Sequence, residues 1–162
     1  ATRAASVFNG LTAMLQAGLS AQDWVLVHDA ARCLVTPAQI NALMDACVDD
    51  AVGGLLAHKL PDTLKCEALG RVASTLERSD KWLAQTPQMF RLQTLHDALA
   101  QVAGGGFEGI TDEASAIERL GLQPRLVAGT AQNFKVTYPA DFALAEAILA
   151  ARNPSTPHKD LA

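Results

Sequence analysis

The sequence predicts an α/β fold in which a mostly parallel sheet lies between two layers of helices. Helical and strand patterns alternate along the chain, and this alternation favours a parallel sheet with helices on both faces. Of the 162 residues, 49% are hydrophobic and 19% are charged, which is typical of a globular domain with one sizeable core. We therefore expect residues 1–152 to form one domain, a three-layer α/β/α sandwich.

The first half of the chain is predicted to contain two helices, two strands and a hairpin. Thr36-Pro37 indicates the start of the second helix, because Thr is a good N-cap and Pro suits the first helical position. That helix carries Ile40, Leu43, Met44 and Cys47 on one face. The predicted elements are a helix at about 3–17, a strand at 24–28, the helix after Thr36, a strand from Leu55 after a Gly53-Gly54 turn, and a hairpin or protruding arm at about 64–78.

The second half is predicted to contain three helices and two short strands. Trp82–Phe90 is expected to be irregular, because Pro87 limits any strand. A long helix follows from Leu92 and ends at the glycines of 104–106, and Thr111 is the expected N-cap of the next helix. The remaining elements are strands at 125–127 and 134–136, a helix from Pro139 with Phe142, Leu144, Ala145, Ile148 and Leu149 as its apolar positions, and a flexible tail at 153–162.

Composition narrows the classes of protein to consider. The net charge of −4 argues against a nucleic-acid-binding protein that relies on a basic surface. No apolar stretch approaches the length of a membrane span, and no signal-peptide pattern opens the chain. The three cysteines form no C-x-x-C pair, which is typical of reduced thiols in the cytosol. We expect a cytoplasmic protein that binds neither nucleic acid nor membrane.

A candidate site follows the first predicted strand, in the segment V-L-V-H-D-A-A-R at residues 25–32. The apolar run ends at His28-Asp29, and Arg32 comes three residues later. In open α/β sheets, ligands bind beyond the carboxyl ends of the strands. Asp29 is therefore placed to contact a metal or a hydroxyl group, and Arg32 a phosphate. The alternative is an Asp that caps the following turn and a solvated Arg.

Metal chemistry is indicated only for a hard cation. The four histidines lie far apart and lack the spacing of zinc ligands. Asp29 suits Mg²⁺, which prefers oxygen ligands and commonly arrives with substrate phosphates. Ser-His-Asp chemistry is not indicated, because the chain has no G-x-S-x-G. The glycines of 104–106 follow a helix and not a strand, unlike those of a phosphate-binding loop.

Four further polar segments are candidates for a site. Taken singly, Thr63, Arg78, Thr86 and Lys135 each have an ordinary explanation as a turn, surface or loop residue. They lie in P-D-T-L-K at 61–65, E-R at 77–78, A-Q-T-P-Q at 84–88 and N-F-K-V-T at 133–137.

Together these segments are far more specific. The motifs V-L-V-H-D-A-A-R, D-T-L-K, W-L-A-Q-T-P-Q-M-F, T-D-E-A-S-A-I-E and N-F-K-V-T, in this order, resemble the 2-C-methyl-D-erythritol 4-phosphate cytidylyltransferases of the non-mevalonate isoprenoid pathway. The resemblance extends from about Arg3 to Leu149. It implies a nucleotidyltransferase with a Rossmann-like sheet and a protruding β-arm, which joins CTP and the sugar-alcohol phosphate with release of pyrophosphate. Ribitol-phosphate cytidylyltransferases share several of the motifs, so ribitol or another polyol phosphate is an alternative substrate.

The resemblance also implies a homodimer, Mg²⁺ or another divalent cation, and roles for individual residues. In this family the arm crosses to a second subunit, so Arg78 and Thr86 would serve the substrate of the partner. Asp29 would also contact the metal. The implied groups are Asp29 and Lys135 at the reacting phosphate, Ser6, Asp29, Ala30 and Arg32 on the nucleotide, and Asp29, Thr63, Arg78 and Thr86 on the sugar-alcohol phosphate.

The sequence departs from the family pattern in three places. The family's A-A-G-x-G-x-R-M loop and P-K-Q segment, which hold the CTP phosphates, are not among the 162 residues. Residues 58–61 are H-K-L-P where the family more often has A-P-V-R, and Cys33 stands where Pro is common. We therefore expect missing N-terminal strands, an open sheet edge and an inactive chain. A non-catalytic fragment or binding module is the alternative, and residues 153–162 indicate no fused synthase domain.

Overall fold

The computed structural model describes residues 2–152, so the predicted tail at 153–162 lies outside the described residues. The helices are α1 (Arg3–Gln16), α2 (Pro37–Cys47), α3 (Leu92–Ala103), α4 (Glu113–Glu118) and α5 (Pro139–Arg152). The strands are β1 (Trp24–Val27), β2 (Gly53–Lys59), β3 (Leu64–Ala68), β4 (Arg71–Leu76), β5 (Trp82–Arg91) and β6 (Arg125–Ala128).

The main sheet has the strand order β1-β5-β2-β6. Strands β2 and β6 are parallel, whereas β5 runs antiparallel to both β1 and β2. The α/β class is confirmed, but the mostly parallel sheet is a correction, because the inverted strand β5 occupies a central position. Within residues 2–152, β1 pairs with β5 alone, so its outer edge carries no strand, as expected.

Helices cover both faces of this sheet and create two apolar cores. Leu55 and Phe90 point to one face, where they pack with residues of α1, α3 and α4 such as Leu11, Leu95 and Ile117. The other face packs against α2, and its buried members are Leu43, Cys47, Leu56 and Met89. The alternation of strand residues between the two cores gives the predicted three-layer sandwich.

The start of α2 follows the prediction, and its buried face includes the expected Leu43 and Cys47 but not Met44. The Thr36 hydroxyl accepts from the Gln39 backbone, and the Gln39 side chain accepts from the Thr36 backbone, so a capping box fixes the first turn. Gln39 is buried and donates to the Thr130 hydroxyl at 2.9 Å, whereas Met44 is exposed. The buried face of the helix therefore includes its polar capping residue Gln39.

The sequence predicts a turn at Gly53-Gly54, but in the structure these two residues form the first part of β2. Gly53 has φ +104°, and a Cβ on it would collide with the Met89 carbonyl oxygen. A Cβ on Gly54 would collide with the Arg125 carbonyl oxygen. Glycine at these positions lets β2 approach both of its neighbours closely.

Strand β5 is the largest departure from the sequence prediction, which made this segment irregular. In the register, Leu55 faces Gln88 and Ala57 faces Ala84, so the single residue Leu56 lies opposite residues 85–87. Because of this bulge, Pro87 is not part of the hydrogen-bonded pairing between β5 and β2. Its lack of an N–H therefore leaves no carbonyl of the neighbouring strand without a donor. A ten-residue strand can therefore contain a proline at the centre of the sheet.

The segment expected to form an arm is a two-stranded antiparallel sheet, β3 and β4, which pairs with no other strand of the described chain. Leu69 and Gly70 form its turn, and both have positive φ, as a two-residue hairpin turn requires. Every residue of β4 is exposed, and Leu69 is 99% exposed. The hairpin thus projects from the domain.

Three smaller predictions near the end of the chain need correction. Asp112, and not Thr111, is the N-cap of α4, where its carboxylate accepts from the Ser115 backbone at 2.9 Å. The predicted strand at 134–136 is irregular backbone. Among the expected apolar positions of α5, Ala145 is buried while Phe142, Leu144 and Leu149 are exposed.

Candidate active site

A small polar cavity lies where β1 ends and β5 bulges. Its volume is about 220 Å³, and it opens to solvent. The residues that line it come from five segments distant in sequence, including Arg3, Asp29, Arg32, Thr86, Gln88 and Lys135. The position beyond the end of β1 is where the sequence predicted a ligand site.

Asp29 is the centre of this cavity and is largely enclosed, with a side chain 13% exposed. Its Oδ1 accepts from Arg3 Nε at 2.6 Å, and its Oδ2 lies 3.5 Å from Lys135 Nζ. Its backbone N–H donates to the Thr86 hydroxyl at 3.0 Å. The residue therefore does not cap the following turn with its side chain, which was the alternative considered from sequence.

Two cations determine the protonation of Asp29. Burial alone would raise the pKa of this carboxyl, but the hydrogen bond and charge of Arg3, and then the charge of Lys135, hold the pKa below its ordinary value. Asp29 is therefore a carboxylate at neutral pH, with one oxygen held by Arg3 and the other directed toward Lys135.

Arg3 is held from its other side by Glu113, a residue 1% exposed at the first position of α4. Arg3 Nη1 and Nη2 donate to the two Glu113 oxygens at 2.6 and 2.9 Å. Burial would lower the pKa of Arg3, but the hydrogen bonds and charges of Glu113 and Asp29 raise it above its ordinary value. Arg3 stays fully charged and bridges two carboxylates.

Thr86 lines the cavity of its own chain, and its expected role at the substrate of a partner stays a prediction. It is 4% exposed, and its hydroxyl is 2.9 Å from His28 Nδ1 and accepts the Asp29 N–H. The Thr86 carbonyl accepts from Asn133 Nδ2 at 2.9 Å. Its contacts fix the turn that carries Asp29, and none of them points out of the domain.

Arg32 lines the cavity, but its guanidinium holds backbone. Nη1 donates to the Asn133 carbonyl at 2.7 Å, and Nη2 donates to the Ala84 carbonyl at 3.1 Å. Burial lowers the pKa of Arg32, although not enough to discharge an arginine. Arg32 thus joins the β1 end to β5 and to the loop before Lys135, and contributes positive charge to the cavity wall.

Lys135 is the most exposed cation of the cavity, with a side chain 49% exposed. It lies in irregular backbone, which is joined to the β1 end because the Val136 N–H donates to the Ala31 carbonyl at 2.9 Å. An ammonium that faces Asp29 on one side and solvent on the other is available to an anionic ligand.

The other predicted site residues lie outside this cavity. Ser6 is exposed on α1, and its hydroxyl donates to the Thr2 carbonyl at 3.3 Å. Ala30 is exposed in the turn after Asp29. Thr63 and Arg78 are exposed at the two ends of the β3–β4 hairpin, and within residues 2–152 neither side chain makes a hydrogen bond.

Sequence reasoning missed Arg3, Gln88 and Glu113. Gln88 donates to Asp112 at 2.9 Å and accepts from the Ala114 backbone at 2.8 Å, so it joins β5 to the start of α4. An acid such as Glu113 is ordinary at the positive start of a helix, and Arg3 lies in a predicted helix, so neither stands out in the sequence. The T-D-E-A-S-A motif was the only sequence pattern that could have indicated Glu113. It contains two adjacent acids, although one acid is enough to cap the start of a helix.

The described residues offer little for a protein-only metal site. Residues 2–152 contain no cluster of three or more His, Cys, Asp or Glu side chains that could hold a metal ion. Asp29 provides one carboxylate at the cavity, which is the usual protein share when Mg²⁺ arrives with substrate phosphates. Also within this range, no helix has the length and apolarity needed to cross a membrane.

The site places three cations, Arg3, Arg32 and Lys135, around the Asp29 carboxylate in a cavity that Asp112 also lines. Such an arrangement can bind an anion, orient a hydroxyl group and neutralise negative charge that develops during a reaction. It has neither an activated Ser or Cys nucleophile nor a redox group among the residues that line it. Phosphate chemistry is the reaction class that it suits.

Comparisons with known proteins agree with this geometry. The family model described as 2-C-methyl-D-erythritol 4-phosphate cytidylyltransferase matches residues 1–151. A protein of Albidiferax ferrireducens named "Bifunctional enzyme IspD/IspF" is 68% identical over 94% of this chain and 35% of its own length. A Chromobacterium violaceum protein named 2-C-methyl-D-erythritol 4-phosphate cytidylyltransferase is 56% identical over 94% of this chain and 66% of its own length.

Solved structures show the same similarity. A 4-diphosphocytidyl-2C-methyl-D-erythritol synthase superposes with a TM-score of 0.85 at 43% identity, covering 91% of this chain and 67% of the other. The cytidylyltransferase of Thermus thermophilus gives a TM-score of 0.80 at 34% identity, covering 91% and 69%. The chain thus spans about a third of the first relative and about two thirds of the others. The prediction that no synthase domain follows stays a prediction. The chain belongs to the 2-C-methyl-D-erythritol 4-phosphate cytidylyltransferase family.

Proposed function

We propose that the protein joins CTP and 2-C-methyl-D-erythritol 4-phosphate to give 4-diphosphocytidyl-2-C-methyl-D-erythritol and pyrophosphate, in isoprenoid precursor synthesis. The observation that carries this proposal is the Asp29–Lys135 pair at the end of β1, in a cavity walled by Arg3 and Arg32. The family match over residues 1–151 supports the choice of substrates.

In this reaction a phosphate oxygen of the sugar alcohol attacks the α-phosphorus of CTP, and the bond to the pyrophosphate breaks. Two anions must meet, and negative charge builds on the phosphoryl oxygens. The Lys135 ammonium faces the cavity and neutralises this charge, while Asp29 holds Lys135 in place and accepts from a hydroxyl group of a substrate. Arg32 contributes its field and the shape of the wall.

A divalent cation fits this site as a partner of the nucleotide. Asp29 Oδ2, directed into the cavity, is the protein oxygen that would hold Mg²⁺. When bound, the ion supplies further neutralisation of the phosphate oxygens. Ser6 and Ala30 lie on the nucleotide side in this assignment.

Assembly completes the proposal. The exposed apolar residues of the β3–β4 hairpin, Leu69, Val72 and Leu76, support a homodimer formed through this arm. In such a dimer Thr63 and Arg78, at the ends of the arm, are free to reach a substrate held by the partner subunit. The 162 residues alone are expected to be inactive, because the family's glycine-rich phosphate loop is not among them.

The test is an assay of pyrophosphate release from CTP. The chain would be assayed alone and as a chimaera, joined behind the N-terminal third of the Chromobacterium violaceum relative, with 2-C-methyl-D-erythritol 4-phosphate or ribitol phosphate. We expect turnover only by the chimaera and a preference for the first substrate. Lys135→Met should lower kcat about 10²–10³-fold, whereas Lys81→Met, whose lysine pairs with exposed Asp80, should not.

Each other result points elsewhere. Faster turnover with ribitol phosphate would assign the protein to the alternative substrate class. A folded chimaera that neither turns over nor binds CTP with Mg²⁺ in calorimetry would favour a non-catalytic module. Full activity in Lys135→Met would remove the Asp29–Lys135 pair from the mechanism.

A further inference from the structure

Glu113 is a buried charge that the proposed reaction does not use. Its side chain is 2% exposed, and Asp112 fixes the start of α4 immediately before it. Both Glu113 oxygens accept from Arg3, at 2.6 and 2.9 Å. A carboxylate in such surroundings needs a matched cation, and Arg3 supplies one in the two-pronged geometry that a guanidinium favours.

Arg3 has a second partner on the same guanidinium. With Nη1 and Nη2 on Glu113, Nε donates to Asp29 Oδ1 at 2.6 Å, so all three nitrogens of the planar group are engaged. Because the plane is rigid, the position of Glu113 determines where Nε points. Asp29 and Glu113 belong to different elements and make no hydrogen bond to each other, yet they share this single cation.

The shared cation defines the direction of the Asp29 carboxylate. Oδ1 is held by Arg3, so Oδ2 is the oxygen that faces Lys135 at 3.5 Å. Glu113 also balances the charge of Arg3, which leaves Asp29 to balance Lys135. Without Glu113, Arg3 would be free to leave Asp29 for a phosphate of the ligand.

We propose that Glu113 is a positioning residue. It acts through Arg3 to hold the Asp29 carboxylate so that one oxygen faces Lys135, the cation at the reacting phosphate. The proposal rests on the function proposed above for the catalytic step, but its geometric part stands independently of turnover. Arg3 is in this view the connection between α4 and the site, and not a ligand of the substrate.

The experiment compares Glu113→Gln, Arg3→Met and the double variant in the chimaera described above, with Glu118→Gln, an exposed acid of the same helix, as the control. We expect Glu113→Gln and Arg3→Met each to lower kcat at least tenfold while KM for CTP changes less than threefold. The double variant should be no slower than Arg3→Met, because Glu113 acts only through Arg3. Glu118→Gln should behave as the parent.

A second readout does not depend on turnover. The pKa of Asp29 can be followed by NMR of its carboxyl carbon in the parent and in Glu113→Gln. If Glu113 acted on Asp29 only through the electric field of its negative charge, removing that charge would lower the pKa of Asp29 further. Loss of the Arg3 contact would instead raise this pKa. We expect the pKa to rise. If Glu113→Gln does not fold, Arg3→Lys carries the same test, because one ammonium cannot reach both carboxylates.

The outcomes separate the two proposals. An inactive parent would count against the proposed reaction, and the carboxyl titration would still decide the positioning role. Unchanged kcat in a folded Glu113→Gln would overturn that role. So would a rate loss that only follows the folded fraction while the Asp29 pKa stays constant, since Glu113 would then be purely structural. Losses that multiply in the double variant would show that Glu113 acts independently of Arg3, which also overturns the proposal.

Discussion

The Asp29 cavity and the β3–β4 hairpin are built in opposite ways. Around Asp29, long-range contacts join α1, β1, β5, α4 and the loop before Lys135, and the key groups are enclosed. The hairpin makes its strand pairs within itself, and its Lys65 ammonium donates to Thr75 at 2.7 Å across the same two strands. Every residue of β4 is exposed.

This difference predicts which property of the protein a substitution in each region should change. The cavity geometry is fixed by the chain itself, so a change there affects folding and chemistry together. The hairpin keeps its shape by local pairing and leaves Leu69 and Val72 in solvent, so a change there should affect what the hairpin contacts. The two regions therefore predict different responses to similar substitutions.

The largest contrast is expected from a matched pair of glycines. Gly53→Ala should lower the free energy of unfolding by about 3 kcal/mol, because φ is +104° and the new Cβ meets the Met89 carbonyl. Gly70→Ala, in the hairpin turn at φ +75° with open space around it, should cost only about 1 kcal/mol. Urea unfolding of both variants measures the difference. Equal losses would mean that the core and the hairpin are not as different as their packing indicates.

A smaller effect is expected from the charge of Asp29. Its pKa in the folded protein is lowered, so its contribution to stability is present above the unfolded pKa of about 4 and disappears as the pH falls through the folded pKa. Asp29→Asn should therefore lower the free energy of unfolding at pH 7 by about 1 kcal/mol, since the ion pair is partly screened by solvent. The difference from the parent should shrink below about pH 4.

Asp80→Asn is the control for this prediction. Asp80 pairs with Lys81 on the surface, where ion pairs contribute little, so the change should leave the unfolding curve unaltered at neutral pH. A loss in Asp29→Asn that stays constant down to pH 3 would show that packing, and not charge, accounts for it.

The smallest effect on folding is expected in the hairpin. Val72→Ser combined with Leu76→Ser should change the free energy of unfolding by about 0.5 kcal/mol or less, because both side chains are already exposed. Sedimentation should nevertheless show that the proposed dimer dissociates. Met44→Ser, at a residue of α2 exposed about as much as Leu76, should leave assembly unchanged. A dimer that persists in the hairpin variant would remove the arm from the interface.

Much of the fold could be predicted because its signals are local. Thr36-Pro37 marks a helix start, Gly70 marks a hairpin turn, and apolar spacing marks α1 and α3. Strand β5 could not be predicted, because a proline inside a central strand is acceptable only within a bulge, and a bulge depends on the partner strand. Gly53 and Gly54 were misassigned for the same reason, since close approach to a neighbour is not visible in one segment.

The site was predictable in part. Asp29 follows a predicted strand and Lys135 lies within a segment predicted as a strand, and the structure places their charged groups 3.5 Å apart. Arg3 and Glu113 escaped notice because each has an ordinary role on its own helix, and only the tertiary structure brings them together over 110 positions. For Thr86 the structure adds hydroxyl contacts to Asp29 and His28 within its own chain, which the sequence alone does not indicate.

Because β5 contains a bulge, the number of residues in segment 84–88 matters for the fold as much as their identity. Residues 84–88 span the same stretch of sheet as residues 55–57 of β2, so β5 holds two extra residues, an even number. Side chains before and after the bulge therefore keep their phase: Ala84 and Gln88 remain on one face and Met89 on the other. One inserted or deleted residue would exchange the faces on one side of it, turning Gln88 toward α2 or Met89 toward α4. Substitutions in this segment can have small or large effects. A change of one residue in its length, in contrast, would turn core side chains toward the cavity and cavity side chains toward the core.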